Sequence, residues 1–418
     1  MAETLVSPGV LARENDQSFI TQQPVQVGAA IVGPTVKGPV EIPTIVTSYS
    51  DYQNRFGTTF DSGSDEYSFI TNIAAYNYFQ NGGNTMLVTR VVSGSSTWDF
   101  AQAEIAASGS GTSFTIEAID KGIIFNNSGS TNLITGGSGS LISGSTDNIR
   151  WEVANSSQAD GNFNLLVRQG NDNDNNKIIL ESWTNLSLDP KADNYIAKII
   201  GDQYQTYNST ENYIEITGSY ANASRYIRVS TVNKKTPDYF DNAGNAKNEY
   251  TASMPQVGSG SYAGTFTGGV GSVIPAGRTM NLYGDINSTD TQGLIGSDYD
   301  NMLDLLSNQD DYQFNLLVTP GLIDTAQTSQ MTTALNNTQM RGDSIYIMDL
   351  VPYASTITAA NTQANARNSS YGAAYWPWLQ TIDPDMGDQV FVPASAMIPG
   401  VYAFNDNAAE PWFAPAGI

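Results

Sequence analysis

The chain has 418 residues, 40% of them apolar and 10% aromatic, enough for two or three domains with sizeable cores and in keeping with a folded protein. Its 41 acidic residues outnumber 18 basic ones, giving a net charge of −23, so its surface repels phosphate backbones and anionic lipid; neither nucleic acid nor a membrane is an expected partner. Cysteine and histidine are both absent, which removes disulfides, thiolate ligands and the commonest general base, and with them Ser-His-Asp and Cys-His catalysis.

Met1 to Gln23 opens with the short apolar piece Leu5-Val6-Ser7-Pro8-Gly9-Val10 and continues as the polar stretch Ala12 to Ser18. Its charges, at Glu3, Arg13, Glu14 and Asp16, do not read as a secretory signal, and no stretch of the chain reaches the ~18 consecutive apolar residues of a membrane-spanning helix. Alone this segment buries little, so it is expected either to be disordered or to dock on another chain.

Val25 to Val32 predicts a buried strand, followed by turns at Gly33-Pro34 and Lys37-Gly38-Pro39. Ile42 to Val46 predicts a short strand and Tyr49 to Phe56 a short helix capped by Gly57. Glu66 to Gln80 carries Phe69, Ile70, Ile73, Ala74 and Tyr76 at helical spacing before Gly82-Gly83, and Met86 to Val92 is again strand-like. Strand, helix and strand in that order predict an α/β layer.

From Ser93 to about Pro275 the composition turns to Ser, Gly, Asn and Thr, with short alternating runs at 113–119, 164–168, 177–180, 213–216 and 225–229. This predicts a mostly β insertion in which only Lys191 to Ile200 is helical, with loops or hinges at 128–145 and 258–271. From near Met280 an α/β pattern returns: helix Asn301 to Leu306, strand Phe314 to Thr319, helix Thr328 to Met340, strand Ser344 to Leu350. The aromatic-rich Ala373 to Ile382 and Asp388 to Val392 predict two more strands, and Ser395 to Tyr402 a helix that Pro399 must kink or end. The expected architecture is an α/β (α+β) core of two halves, 24–92 and 278–418, interrupted by a β insertion over 93–277 and preceded by an extended arm over 1–23.

Motifs that suggest chemistry are weak. Asp172-x-Asp174-x-Asn176 opens like a calcium loop, but Lys177 and Trp183 stand where a glycine and a bidentate glutamate are required, so a solvated turn is expected. Gly271 to Thr279 has the wrong spacing for a phosphate loop and Arg278 in place of lysine. Arg341-Gly342-Asp343 reads as a helix end with a glycine cap. The carboxylate pairs Asp310/Asp311 and Asp383/Asp385 are what 41 acids produce by chance, so no catalytic residue, cofactor or metal ligand is assigned.

The last fifty residues carry the most specific text. Pro393-Ala394-Ser395, then Val401-Tyr402-Ala403, Asp406-Asn407 and Trp412-Phe413-Ala414-Pro415-Ala416-Gly417, resemble the close of the core domain in tail sheath proteins of contractile-tailed bacteriophages. Further patches are similar to the same family: Ser7-Pro8-Gly9-Val10, the turn GPTVKGPV from Gly33, the run containing Gly82, Gly83 and Arg90, and LSLDP followed by NYIAKIIGD. The resemblance implies a virion subunit that polymerises with itself as stacked six-fold rings around a tail tube protein, between baseplate and tail terminator proteins, and contracts to drive the tube through the host envelope. It also implies that Leu5, Val6, Pro8, Gly9 and Val10 belong to an arm that adds a strand to a neighbour's sheet. The chain ends inside the motif, so the family's C-terminal domain is expected to be absent from it. Two alternatives remain at this point: the sheath of a phage-derived injection or secretion system, and, because the β insertion is rich in aromatics and asparagine, a glycan-binding or glycan-cleaving tail surface protein.

Overall fold

The computed structural model describes residues 27–62, 65–126, 134–135, 140–141, 146–172, 175–257, 264–273, 286–408 and 413–415. The predicted arm residues Leu5 to Val10, together with Trp412 and Gly417, lie outside them, as does most of the glycine-rich run after Gly271.

Strand β1 (Val27–Gly33) alternates strictly: Ala30 and Val32 face one core, Ala29 and Ile31 the other. Such two-sided burial is what a central parallel strand requires. After β1 come β2 (Thr44–Val46), α1 (Tyr49–Phe56), a hairpin of β3 (Thr59–Ser62) and β4 (Asp65–Ser68), α2 (Ile70–Gln80) and β5 (Met86–Arg90). Helix α1 has the expected cap, Gly57 ending it at φ 70°, and at its start Ser48 accepts from the Asp51 amide.

The expected helix from Glu66 is shorter than its periodicity suggests. Residues 65–68 pair with 59–62 instead, because Phe60 stacks on both Tyr67 and Phe69, at 5.9 and 5.2 Å between ring centroids.

The next segment builds a separate core. Strands β6 (Phe100–Ala106) and β7 (Thr112–Lys121) are followed by the two-residue strands β8 (Ile134–Thr135) and β9 (Ser140–Leu141). Then come β10 (Ile149–Ser157), β11 (Asn162–Gln169), β12 (Ile179–Leu186), α3 (Ile196–Ile200), β13 (Tyr204–Asn208), β14 (Tyr213–Thr217), β15 (Ile227–Val232) and α4 (Asn248–Thr251). The antiparallel sheets β15-β7-β6 and β10-β11-β12 share one cluster of buried side chains, with Phe114 stacked on Phe163 at 5.3 Å.

Several expectations here need correction: helix α4 shows that 191–200 is not the one helical run, and β8 pairs with β9 inside the loop expected over 128–145. The run at 191–200 is helical only from Ile196, since the Asp189 carboxylate draws the Lys191 amide into a turn. The strand expected at 177–180 begins at Ile179 and continues to Leu186. The loop expected at 258–271 is bridged where it is described: Gly264, Thr267 and Val270 pair with Trp151, Gln102 and Asp99, and Phe266 is fully buried.

The chain then returns to the first layer through α5 (Asp300–Leu305), β16 (Phe314–Val318), α6 (Thr328–Arg341), β17 (Ile345–Met348), α7 (Ile357–Asn365) and β18 (Gly372–Ala374). One six-stranded sheet, in the order β18-β17-β16-β1-β5-β2, therefore takes strands from both ends of the sequence, all parallel except β2. Side chains of α5, α6 and α7 share the core on one face, and those of α1 and α2 the core on the other.

The strand expected over 373–382 is split into β18 and β19 (Leu379–Ile382) around a cis Trp376-Pro377 bond, since proline donates no ladder hydrogen bond. Strand β19 pairs instead with β20 (Gln389–Val392). The final helix α8 (Ile398–Ala408) starts later and runs farther than expected; Pro399 falls in its first turn, where no amide is needed, and so neither kinks nor ends it.

Candidate functional site at the C-terminal helix

Strand β20 leads through the buried turn 394–396 into α8, which lies on α2. The approach is close: a Cβ on Gly400 would sit 2.8 Å from the Asn77 carbonyl oxygen, so only glycine lets the backbones meet. At the far end Asn407 donates through Nδ2 to the Gly82 carbonyl at 2.9 Å. Gly82, at φ 92°, and Gly83 close α2, their amides bonding back to Phe79 and Tyr78. A Cβ on Gly83 would meet the Tyr78 ring at 2.3 Å. The structure thus brings Gly82, Gly83 and Asn407 together, although Gly82 and Asn407 lie 325 residues apart.

Ser395 anchors the start of this element. It is fully buried, and both its amide and its hydroxyl donate to the Asp349 carboxylate just past β17. Burial pushes the Asp349 carboxyl up to about 7, against the pull of those two hydrogen bonds. Ala394 is buried beside Ser395, and Pro393 caps the turn. Tyr402 shares a hydroxyl hydrogen bond with Tyr375 across an edge-on ring pair, and its phenol is raised by burial and by that bond.

Other predicted residues fall elsewhere. Arg90 is buried at the end of β5, where its guanidinium donates to the Gly38 and Val36 carbonyls at 2.8 and 3.2 Å and lies over Trp98. It pins the Gly33 to Val40 turn, and burial pushes it down to about 10. Asp406 is exposed on α8, and Pro415 lies in an exposed turn.

The outward side of this region is apolar. Val401 and Phe404 are exposed one turn apart on α8; Phe404 is 59% accessible, and Trp376, Ile382 and Phe413 are also exposed. The Asn405 amide donates to the Phe413 carbonyl at 3.1 Å, which holds the described piece of the terminal motif against α8.

The carboxylates singled out by sequence have structural roles. Asp385 accepts from Tyr49 Oη and Asn72 Nδ2 at 2.8 and 2.7 Å, tying the β19-β20 hairpin to α1 and α2. Asp383 accepts the amides of Asp385 and Met386. Asp172 is not in a solvated turn: it is buried between Arg150 and Arg168, with Arg168 Nε at 2.6 Å. Among the described residues no group of three or more acidic side chains is poised to hold a metal, and no helix is long and apolar enough to cross a membrane.

No family model matches the chain, and no curated protein matches it. Among solved structures it is similar to the sheath tail protein of Listeria innocua, at 11% identity and a TM-score of 0.45 over 91% of this chain and 57% of that one. It is also similar to the sheath tail protein of Desulfitobacterium hafniense, at 11% identity and a TM-score of 0.40 over 95% of this chain and 62% of that one. The chain thus spans less than two thirds of the length of either.

Proposed function

We propose that this chain is a structural subunit of a contractile phage tail sheath, which polymerises around an inner tube between baseplate and terminator and drives it through the host envelope by collapsing to a shorter array. The observation that carries the reading is the C-terminal motif: Ser395 bonded to Asp349, Tyr402 to Tyr375 and Asn407 to Gly82 seat the last helix, which turns Val401 and Phe404 outward. Such a surface, rigid beneath and apolar outside, suits a contact between copies that must shift as rigid bodies. The arm of residues 1–23 would add a strand to a neighbour's sheet, joining copies while they slide. Residues 93–277 would form an insertion that tolerates variation without altering the layer below.

Charge sets the condition for assembly. Most basic side chains are already paired within the chain, among them Lys37, Arg55, Arg150, Arg168, Lys177, Arg228 and Arg341, so copies approach with unneutralised acid on both sides. Raising salt from 0.1 to 1 M shortens the screening length from ~10 to ~3 Å and should promote polymerisation. The test is electron microscopy of the native protein, with its intact mass measured on the same sample, across that range. Striated tubes that lengthen with salt are expected; globular monomers at every ionic strength, with a tail tube protein present, would overturn the assignment.

A further inference from the structure

We propose that the cleft where the Gly33 to Val40 turn meets the β6–β15 region binds an acidic saccharide through Asp120 at its floor and Lys121 and Arg225 at its rim. The cleft has a volume of about 780 Å³, in the range of small-ligand sites. Its floor carries an unmet need. Asp120, near the end of β7, is only 8% exposed, yet its carboxylate accepts no hydrogen bond from the described residues. A buried acceptor left in that state is costly, so a donor from outside the chain is favoured. The Asn222 Oδ1 on the same lining is likewise without a donor.

The rim has the opposite need. Lys37 is engaged by Asp147 at 2.9 Å and Arg55 by Asp51 at 3.1 Å. Lys121, which lies over the Phe100 ring, and Arg225, which is exposed, have no carboxylate within ion-pair reach among the described residues. Between floor and rim the half-buried Leu180 and Tyr226 offer apolar surface to the C–H faces of a sugar ring.

The ligand must therefore give hydroxyl donors to the floor and a carboxylate to the rim. A cation would satisfy Asp120 but is opposed by Lys37, Arg55, Lys121 and Arg225. A simple anion would satisfy the rim and be repelled by Asp120, whose carboxyl burial pushes up to about 6 against the pull of Arg90, Lys37 and Arg55. A neutral sugar would leave Lys121 and Arg225 unmatched. A uronic-acid unit meets all of these demands.

The test is calorimetric titration of the full chain at neutral pH and low salt with trimers of galacturonate, mannuronate and guluronate. A neutral glucose trimer and inorganic phosphate serve as controls. At least one uronate trimer is expected to bind, about tenfold or more tighter than either control, and Arg225→Gln and Lys121→Gln should each weaken it by about tenfold, the loss of one charge-assisted hydrogen bond. Both substitutions lie at the rim, so circular dichroism should be unchanged. Failure of all three trimers to bind, binding indifferent to both substitutions, or phosphate binding as tightly as the best trimer would each overturn the proposal. Because the assay reads the chain in solution, its outcome is separate from whether tubes form.

Discussion

Asp349 makes the stability of this chain depend on pH in a direction opposite to that of a salt-bridged carboxylate. The side chain is buried, its only side-chain partners among the described residues are the amide and hydroxyl of Ser395, and no cation is among the causes of its shift. Its carboxyl moves from an ordinary value of 3.8 up to about 7. The folded chain therefore holds this proton more tightly than the unfolded chain. The resulting stabilisation is fully present below the unfolded value and is lost as pH rises through about 7. At ~1.4 kcal/mol per pH unit, the shift corresponds to about 4 kcal/mol across that interval. Asp349→Asn removes the charge and keeps the geometry, since the amide oxygen can accept from the Ser395 amide while Nδ2 donates to its hydroxyl. Urea unfolding of both proteins from about pH 4 to about pH 8 should show wild-type stability falling relative to the variant, by up to about 4 kcal/mol at the alkaline end. Asp120, also raised by burial, titrates in both proteins and cancels in the difference. A difference that stays constant with pH would refute the reasoning, because it would mean that Asp349 does not change charge in this range.

Further expectations concern packing and buried charge. Gly400→Ala should cost about 1–3 kcal/mol in thermal unfolding, because its Cβ meets the backbone oxygen of Asn77 rather than a movable side chain; an unchanged melting temperature would mean that α8 slides on α2 freely. Asp172→Ala should cost about 3–5 kcal/mol, because Arg150 and Arg168 stay buried after losing a shared carboxylate; a loss of a few tenths in urea unfolding would contradict that geometry. Arg341→Ala strands the Leu306 and Tyr312 carbonyls, which its guanidinium reaches at 2.8 and 2.7 Å, at about 1–3 kcal/mol for the buried Leu306 group and less for the half-buried Tyr312 one. Amide exchange after α5 and before β16 should accelerate in that variant; protection unchanged there would show the contacts to be dispensable.

Much of the six-stranded sheet was legible, because its parallel strands are buried on both faces and read as apolar runs, as in Ala29-Ala30-Ile31-Val32 and Phe314 to Val318. Helices with a real cap were legible too: Gly342 ends α6 in the left-handed region, at φ 73°. Helix α7 was not, since Ala360 is its one buried residue and no apolar period marks it. It is held by polar contacts instead: Gln363 and Arg367 both reach the fully buried Asp324 on the connection between β16 and α6. The β3-β4 hairpin was hidden for a different reason, because residues 66–69 continue a helical period that only the Phe60 ring overrides.

The candidate site divides along the same line. Motif text marked Ser395 and Asn407, but nothing local marked their partners, Asp349 and Gly82, as contacts, because those contacts are made by the fold across 46 and 325 residues. Buried charge was the least legible feature. In a chain with 41 acids a single aspartate reads as surface, so Asp120, Asp324 and Asp349 carry no signal in their neighbourhoods, and the one at Asp172 points to a solvated turn rather than to burial. What distinguishes them is burial, and each meets it differently: Asp172 and Asp324 with guanidinium partners, Asp349 with serine donors and a raised proton affinity, Asp120 with no donor from the described chain at all. An unmet acceptor persists only where something outside the chain can satisfy it or where function tolerates the cost. Asp383, also buried, accepts the amides of Asp385 and Met386, so it is the contrast among the buried aspartates, rather than the size of the cleft, that points to a ligand at Asp120.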